Sequence, residues 1–349
     1  MTQSTSLPGI SSSTLPPLPI PVRPEWLALS TEPVIEPELE IIDPHHHLWE
    51  RPDNRYLVPE LLEDLADGHN VRATVFVQCR SMYRSQGPEE LRPVGETEFV
   101  VNSTRGLTAD QPKVAAGIVC MADLMLGDAV VPVLEAQIAA GEGRLRGVRT
   151  MTSSHPDVSS MFGKMPERRL LDPMWRKGAS HLSAHGLVCD IYAFHTQLDE
   201  VRDLARSQPD LKIVLNHMGT PLLSGPFAQR RAEVFAEWKT ALAGVASCPN
   251  VVLKLGGAGI HVIGFNFHER ELPPHSAMLA EAWRPFMETG IELFGVERCM
   301  FESNFPVDKG QFSYRAVWNA FKRLSSGASA QEKAQLFRGT AARVYRLNA

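Results

Sequence analysis

The chain has little cysteine. Its 349 residues include five, at Cys79, Cys120, Cys189, Cys248 and Cys299. They are far apart, odd in number and never spaced as CxxC. That pattern argues against a disulfide framework and against a thiolate zinc site. All but Cys248 fall in apolar runs, where a thiol behaves as a small hydrophobe. A reducing, cytoplasmic setting is therefore expected. No apolar run reaches roughly 18 residues, so no transmembrane helix and no membrane partner are predicted. The start has no basic stretch leading into an apolar one and does not read as a secretory signal. Blocks of like charge are absent, and the formal net charge is −5 at pH 7. Nothing here suggests a nucleic-acid or polyanion partner. No GxGxxG or GxxxxGK loop follows any strand-like run, and there is no GxSxG. Dinucleotide binding, phosphate-loop chemistry and Ser-His-Asp hydrolysis thus lose their usual signatures.

Proline, by contrast, is concentrated. Pro8, Pro16, Pro17, Pro19, Pro21, Pro24, Pro33 and Pro37 crowd the start, beside many serines. Residues 1–37 read as a Pro/Ser-rich N-terminal arm, either disordered or laid across the remainder. Residues 38–349 read as one domain. From residue 39 a unit repeats: a short apolar or β-branched run, turn residues, then a helical segment. The runs are Leu39–Leu48, Ala73–Cys79, Val114–Ala122, Leu145–Thr150, Gly186–Tyr192, Lys212–Met218, Val251–Gly257 and Cys299–Phe305. They are apolar on both faces, as strands covered by helices must be. The intervening segments Asp128–Ala140, Gln197–Ser207, Phe227–Ala246, Ser276–Phe294 and Ala330–Tyr345 have helical spacing, with Ser276 placed to cap its helix. Asp199 with Arg202, and Asp203 with Arg206, stand at i,i+3 spacing. Eight strands alternating with helices over about 310 residues predict the α/β class and a (β/α)8 TIM barrel. The alternative, an open doubly wound sheet, lacks its glycine-rich loop.

In such a barrel, chemistry sits at the C-terminal ends of the strands. The first run ends on His45-His46-His47. Period two puts His45 and His47 on one face and His46 on the other. Two imidazoles on one face can share a divalent metal or flank a carbonyl. The sixth run ends on His217, which could bring a third imidazole to the same mouth. A lone histidine at a strand end is more often structural. The pair together with His217, within an eight-strand pattern, favours a site.

Three segments carry a resemblance. Asp43–Trp49 (DPHHHLW), the NHMG stretch around His217, and Phe301–Val307 (FESNFPV) resemble the amidohydrolase superfamily. They are most similar to its amidohydrolase-2 branch, which includes sugar-lactone hydrolases, 2-pyrone-4,6-dicarboxylate lactonases and aromatic-acid decarboxylases. The resemblance runs from about residue 39 to the end of the sequence. It implies that His45, His47 and His217 are metal ligands, with His217 alternatively polarising the scissile carbonyl. It also implies an aspartate on the eighth strand that takes a proton from the attacking water. Asn304 stands there instead, and an amide cannot serve as a base near neutral pH. The substitutes in view are Glu302, Asp308, Asp190 or His217 itself, or a reaction that needs little metal. Glu302 and Asp308 would ordinarily be solvated loop-end residues, and Asp190 a buried carboxylate paired with a cation.

Cations near the strand ends suggest an anionic small-molecule substrate. Arg149 ends the fourth run, with Arg146 close by, and its fork suits a carboxylate. Lys254 sits in an apolar run, where it should meet a carboxylate or the substrate. Gln78, Tyr83 and Tyr192 are further candidate substrate contacts, with Arg80 and His195 as lesser ones. The glycine-rich loop after the seventh run, with His261 and His268, is a candidate lid. The expected function is a hydrolase that opens a lactone bearing an anionic group, with His217, Asn304 and Asp190 as catalytic residues. Zinc is the first choice of metal, and a metal-free site is the alternative. The competing functions are a metal-dependent decarboxylase and a non-catalytic ligand-binding barrel. A homo-oligomer is compatible with the sequence.

Overall fold

The computed structural model describes residues 19–51, 54–158 and 165–348. Eight parallel strands form one sheet in sequential order. They are β1 (Glu40–His46), β2 (Asn70–Val77), β3 (Lys113–Cys120), β4 (Leu145–Met151), β5 (Val188–Tyr192), β6 (Ile213–Leu215), β7 (Val251–Leu255) and β8 (Cys299–Phe301). The sheet closes on itself just past β8. His46 bridges Phe305 in parallel, the His47 amide donates to the Phe305 carbonyl at 2.8 Å, and the Asn304 amide donates to the His45 carbonyl at 3.0 Å. With helices between the strands, this is the (β/α)8 barrel that the alternating pattern predicts.

Strand period two sorts the side chains. Ile42, Val75, Val77, Val119, Val214 and Met300 fill the barrel interior, and Val344, Tyr345 and Leu347 from the end of the chain join them. Their neighbours Ile41, Phe76 and Ile118 pack outward under the helices. His46 also faces outward. Its Nε2 lies 2.8 Å from the Thr74 hydroxyl and its ring meets Phe76 edge-on. His45 projects inward because the register shift between Asp43 and His46 reverses the alternation that puts Ile42 inside.

Each expected run contains a strand, but the sixth and eighth stop early, at Leu215 and Phe301. The reason lies in the backbone. His217 and Asn304 take φ values of 55° and 56°, left-handed conformations that end an extended strand. The helices differ in similar detail. Phe227–Ala246 begins only at Arg231. Asp128–Ala140 divides into a 3₁₀ segment, Leu124–Val130, and a helix, Val131–Ala140. Ala330–Tyr345 is interrupted by a π turn at Gln335–Gly339. The cap of Ser276–Phe294 is His275, whose Nδ1 accepts from the Met278 amide at 3.4 Å. Ser276 is engaged by Glu32 instead. Arg202 does pair with Asp199 at 2.9 Å, whereas Asp203 reaches across to Arg176 rather than to Arg206.

Residues 1–18 of the N-terminal arm lie outside the described residues. Residues 19–37 run along the barrel. The Trp26 indole N–H bonds the Arg270 and Glu271 carbonyls at 3.2 and 3.1 Å, and Asn319 bonds both Pro33 and Ile35. Among the described residues, no helix is long and apolar enough to cross a membrane.

Candidate active site

The mouth at the C-terminal ends of the strands gathers side chains from β1, β4, β7 and β8 and from the turn after β6. His45, at the end of β1, and His217, after β6, meet at a tilt of 42° with ring centroids 4.7 Å apart. His47 meets His45 edge-on at 5.0 Å. Glu302, one residue past β8, lies between His45 and His217. One carboxylate oxygen accepts the His217 backbone N–H at 3.1 Å and its Nδ1–H at 2.7 Å. The other lies 2.6 Å from Nδ1 of His45, yet no hydrogen bond points along that contact. Glu302 is fully buried. The solvated loop-end reading of this residue is therefore wrong. It looked exposed because its partners arrive from strands distant in sequence.

Two cations share this space. Lys254 of β7 donates to Asp190 at 2.9 Å and stands 3.2 Å from Nδ1 of His45 and 3.9 Å from Glu302. Arg149 of β4 places one guanidinium nitrogen 3.2 Å from Nε2 of His45 and gives the other to the Gln78 carbonyl. Its Nε is buried without a hydrogen-bond partner at the mouth. Burial, reinforced by Lys254 and the neighbouring rings, pushes His45 well below the usual histidine range. Burial does the same to His47, with Arg149 adding to it. His217 is also lowered by burial, against the opposing pull of Glu302. Burial alone would raise the Glu302 carboxyl, but His217 and Lys254 outweigh it and hold it low. The mouth thus presents neutral imidazoles around an ionised carboxylate. Because His217 gives its Nδ1–H to Glu302, its Nε2 keeps a lone pair for other work.

Asn304 sits across from His47. Its Oδ1 is 3.3 Å from Nε2 of His47, and its Nδ2 donates to Asp308 at 2.8 Å. Nδ1 of His47 bonds the Val77 carbonyl at 2.7 Å. Asp308 accepts the Gly259 N–H at 2.8 Å and is fully enclosed, so it too is not a solvated loop-end residue. Burial pushes its carboxyl well above the ordinary range. Gly257 lets the loop after β7 come this close. Its φ is +66°, and a Cβ there would lie 2.3 Å from Nδ1 of His217.

The remaining sequence-derived candidates separate by depth. Arg149 and Tyr192 line the mouth together with His47, His217 and Asn304. Asp190 lies beneath it, where Lys254, Asn216 and the Tyr345 hydroxyl donate to its carboxylate at 2.9–3.0 Å. Three donors thus converge on this carboxylate, and Lys254 meets a carboxylate as expected. Gln78 holds the Arg149 backbone carbonyl at 3.2 Å from Nε2. Tyr83 is not among the residues lining the mouth. Sequence reasoning missed Trp49, Met151, Ile260 and Val307, and also Pro19 and Ile20 from the arm, all of which line it. Their hydrophobicity resembles that of any core residue and gave no signal.

Among the described residues, His45, His217 and Glu302 bring one ligand atom each to within 4.8 Å of one another. The unsatisfied Glu302 oxygen facing His45 is where a cation would fit. Two nitrogens and one carboxylate oxygen make a donor set that suits zinc chemistry. This set exchanges the expected His47 for Glu302.

The amidohydrolase family model matches residues 42–347. The chain belongs to this family. A protein of Sinorhizobium fredii known as y4mH, itself uncharacterized, is 33% identical over 329 residues, covering 89% of this chain and 99% of that one. An L-fucono-1,5-lactonase of Burkholderia multivorans is 28% identical over 321 residues, covering 88% and 96%. The crystal structure of a Burkholderia multivorans amidohydrolase with bound zinc superimposes with a TM-score of 0.67 at 26% identity, covering 88% and 99% of the two chains. Membership of this family and the lactonase relatives make the chain a hydrolase-type enzyme with a small-molecule substrate.

Proposed function

We propose that this amidohydrolase opens a lactone bearing an anionic group. The observation that carries the reading is the pairing of His217 with buried Glu302. It fixes the ring's proton on Nδ1 and leaves Nε2 as a base or hydrogen-bond acceptor at the mouth. Water held by His217 Nε2 gives up its proton there as its oxygen attacks the ring carbonyl. Glu302 stabilises the imidazolium that forms. The developing oxyanion lies in the positive field of Arg149 and Lys254, which is preorganised because both cations are already fixed by buried partners. As the C–O bond of the ring breaks, the proton on His217 passes to the leaving alkoxide. The unpartnered Nε–H of Arg149 offers a donor for the substrate's carboxylate, and Asn304 orients the water or the intermediate through its amide.

In a metal-loaded form, His45, His217 and Glu302 would hold a divalent cation, with zinc suited to the donor set, and His217 would then be a ligand in place of the base. When bound, the cation would polarise the carbonyl and acidify water. The L-fucono-1,5-lactonase relatives support ring opening as the reaction.

The test is ring opening across a lactone panel, with purified protein assayed for metal before and after chelation. Wild type is expected to open lactones, and His217→Ala to lose about 100-fold or more in kcat. Full activity in His217→Ala would sink the assignment. CO₂ release from aromatic acids without lactone opening would point to a decarboxylase. Tight binding without turnover on either panel would point to a binding protein.

A further inference from the structure

We propose that residues 19–27 form a fixed wall of the substrate site, and that Ile20 on this wall selects lactones with an apolar substituent over polyhydroxylated ones. This specificity rests on the lactonase reading, but the wall itself does not.

The lining of the mouth is of two kinds. His47, Arg149, His217 and Asn304 are polar, as are Tyr192 and His261. Pro19, Ile20, Trp49, Met151, Ile260 and Val307 are apolar, and the first two come from the arm. Ile20 is only 4% exposed. It is held by contacts that belong to the fold. A Cβ on Gly310 would lie 2.4 Å from the Ile20 carbonyl oxygen, so the close approach of the two backbones needs a glycine there. Three residues on, Arg23 gives its guanidinium to the His268 carbonyl at 2.5 Å and lies over the Trp26 ring at 4.3 Å. Trp26, buried in turn, bonds two carbonyls of the same loop. The arm and the loop after β7 are thus clipped together at the site.

The arm supplies hydrocarbon to the lining. A sugar lactone carries several hydroxyls, and each one buried against Ile20, Val307 or Met151 without a partner is disfavoured. The polar groups of the mouth are taken up by the reacting carbonyl and by the anion. An alkyl or aryl substituent needs no such partners and removes its own apolar surface from water. The geometry therefore points to a hydrophobic ring substituent turned towards the arm.

The experiment compares δ-decalactone with D-glucono-1,5-lactone as substrates of the full chain, in wild type and in Ile20→Ser. Wild type should favour δ-decalactone in kcat/KM, and Ile20→Ser should shrink that preference about tenfold, mainly through KM. Preference for the gluconolactone, or an unchanged ratio in Ile20→Ser, overturns the proposal. If neither lactone is opened, the lactonase reading is judged on the lactone panel above, and the wall is tested by calorimetric binding of octanoate and gluconate, which carry equal charge and supply the anion that both lactones lack. Octanoate should bind more tightly, with the advantage reduced in Ile20→Ser and in Trp26→Ala, which unclips the arm. Equal affinity for the two acids, or variants indistinguishable from wild type, overturns the proposal by this route as well.

Discussion

In the proposed mechanism, Glu302 is the residue on which the chemistry turns. A Glu302→Gln change keeps the size and removes the charge. It should lower kcat by about 100- to 1000-fold, and measured metal content should fall with it. It also removes the group that holds the His217 pKa up, so the acid limb of kcat/KM should move to lower pH. The sign follows from the base. The proposed base is His217 as the neutral ring, and burial holds its pKa below the usual histidine value. Activity therefore rises with pH through that pKa and is flat near neutrality. A wild-type profile still climbing above pH 7 would contradict this. Asn304 makes a second case. Its amide donates to Asp308 at 2.8 Å, so Asn304→Asp sets two buried carboxylates side by side, where one must keep a proton. The variant should lose on the order of 2 kcal/mol at neutral pH and recover at acid pH. Adding Asp308→Asn to it should restore the thermal midpoint. At this scale the sequence was legible where a side chain declares its own chemistry. His45, His217 and Arg149 did so, and the oddity of Asn304 was plain. Glu302 was not legible, because its role depends on His217 and Lys254, which are separated from it by 85 and 48 positions.

At the scale of elements, the strands were visible because both faces of each are covered, which leaves an unbroken apolar run. Their ends were not visible. Positive φ at His217 and Asn304 is a backbone property, and neither residue type requires it. Those turns aim the side chains into the mouth, at the cost of strain typical of functional sites. Gly257 belongs to the same problem. Gly257→Ala would place a methyl group on the His217 ring, 2.3 Å from Nδ1 before relaxation. The His217–Glu302 contact should then break, with kcat falling about tenfold or more and thermal stability falling by about 1–3 kcal/mol. Unchanged kcat would show that the contact does not position the base. The arm was legible as an extended segment from its prolines. Its place at the site was not, because a Pro-rich stretch says nothing of what it lies against.

For the whole molecule, acid sensitivity should come partly from His46, which faces away from the site. Burial pushes it down to about 3, so the folded state keeps it neutral while the unfolded chain protonates near the ordinary value of 6.5. Its contribution to stability is complete above pH 6.5 and is lost as pH falls towards 3. The loss between pH 7 and pH 5 is about 2 kcal/mol. His46→Gln should lower the thermal midpoint at pH 7 but flatten its decline to pH 5. A parallel decline in both proteins would assign the acid sensitivity elsewhere.

The seam that closes the barrel has a consequence for how such an enzyme fails. The amide of Asn304 grips the carbonyl of His45, and that of His47 grips Phe305, so the hydrogen bonds of closure lie in the very segments that hold the reactive groups. These segments stand about 260 residues apart in the chain, and neither half of the barrel owns the whole apparatus. His45, His47 and Arg149 belong to the first half, and His217, Lys254 and Glu302 to the second. A fragment of either kind would be inert, and a barrel parted at this one seam would lose turnover while most of its secondary structure persisted. Under gentle denaturation, then, catalysis would serve as the earliest gauge of whether the ring is shut.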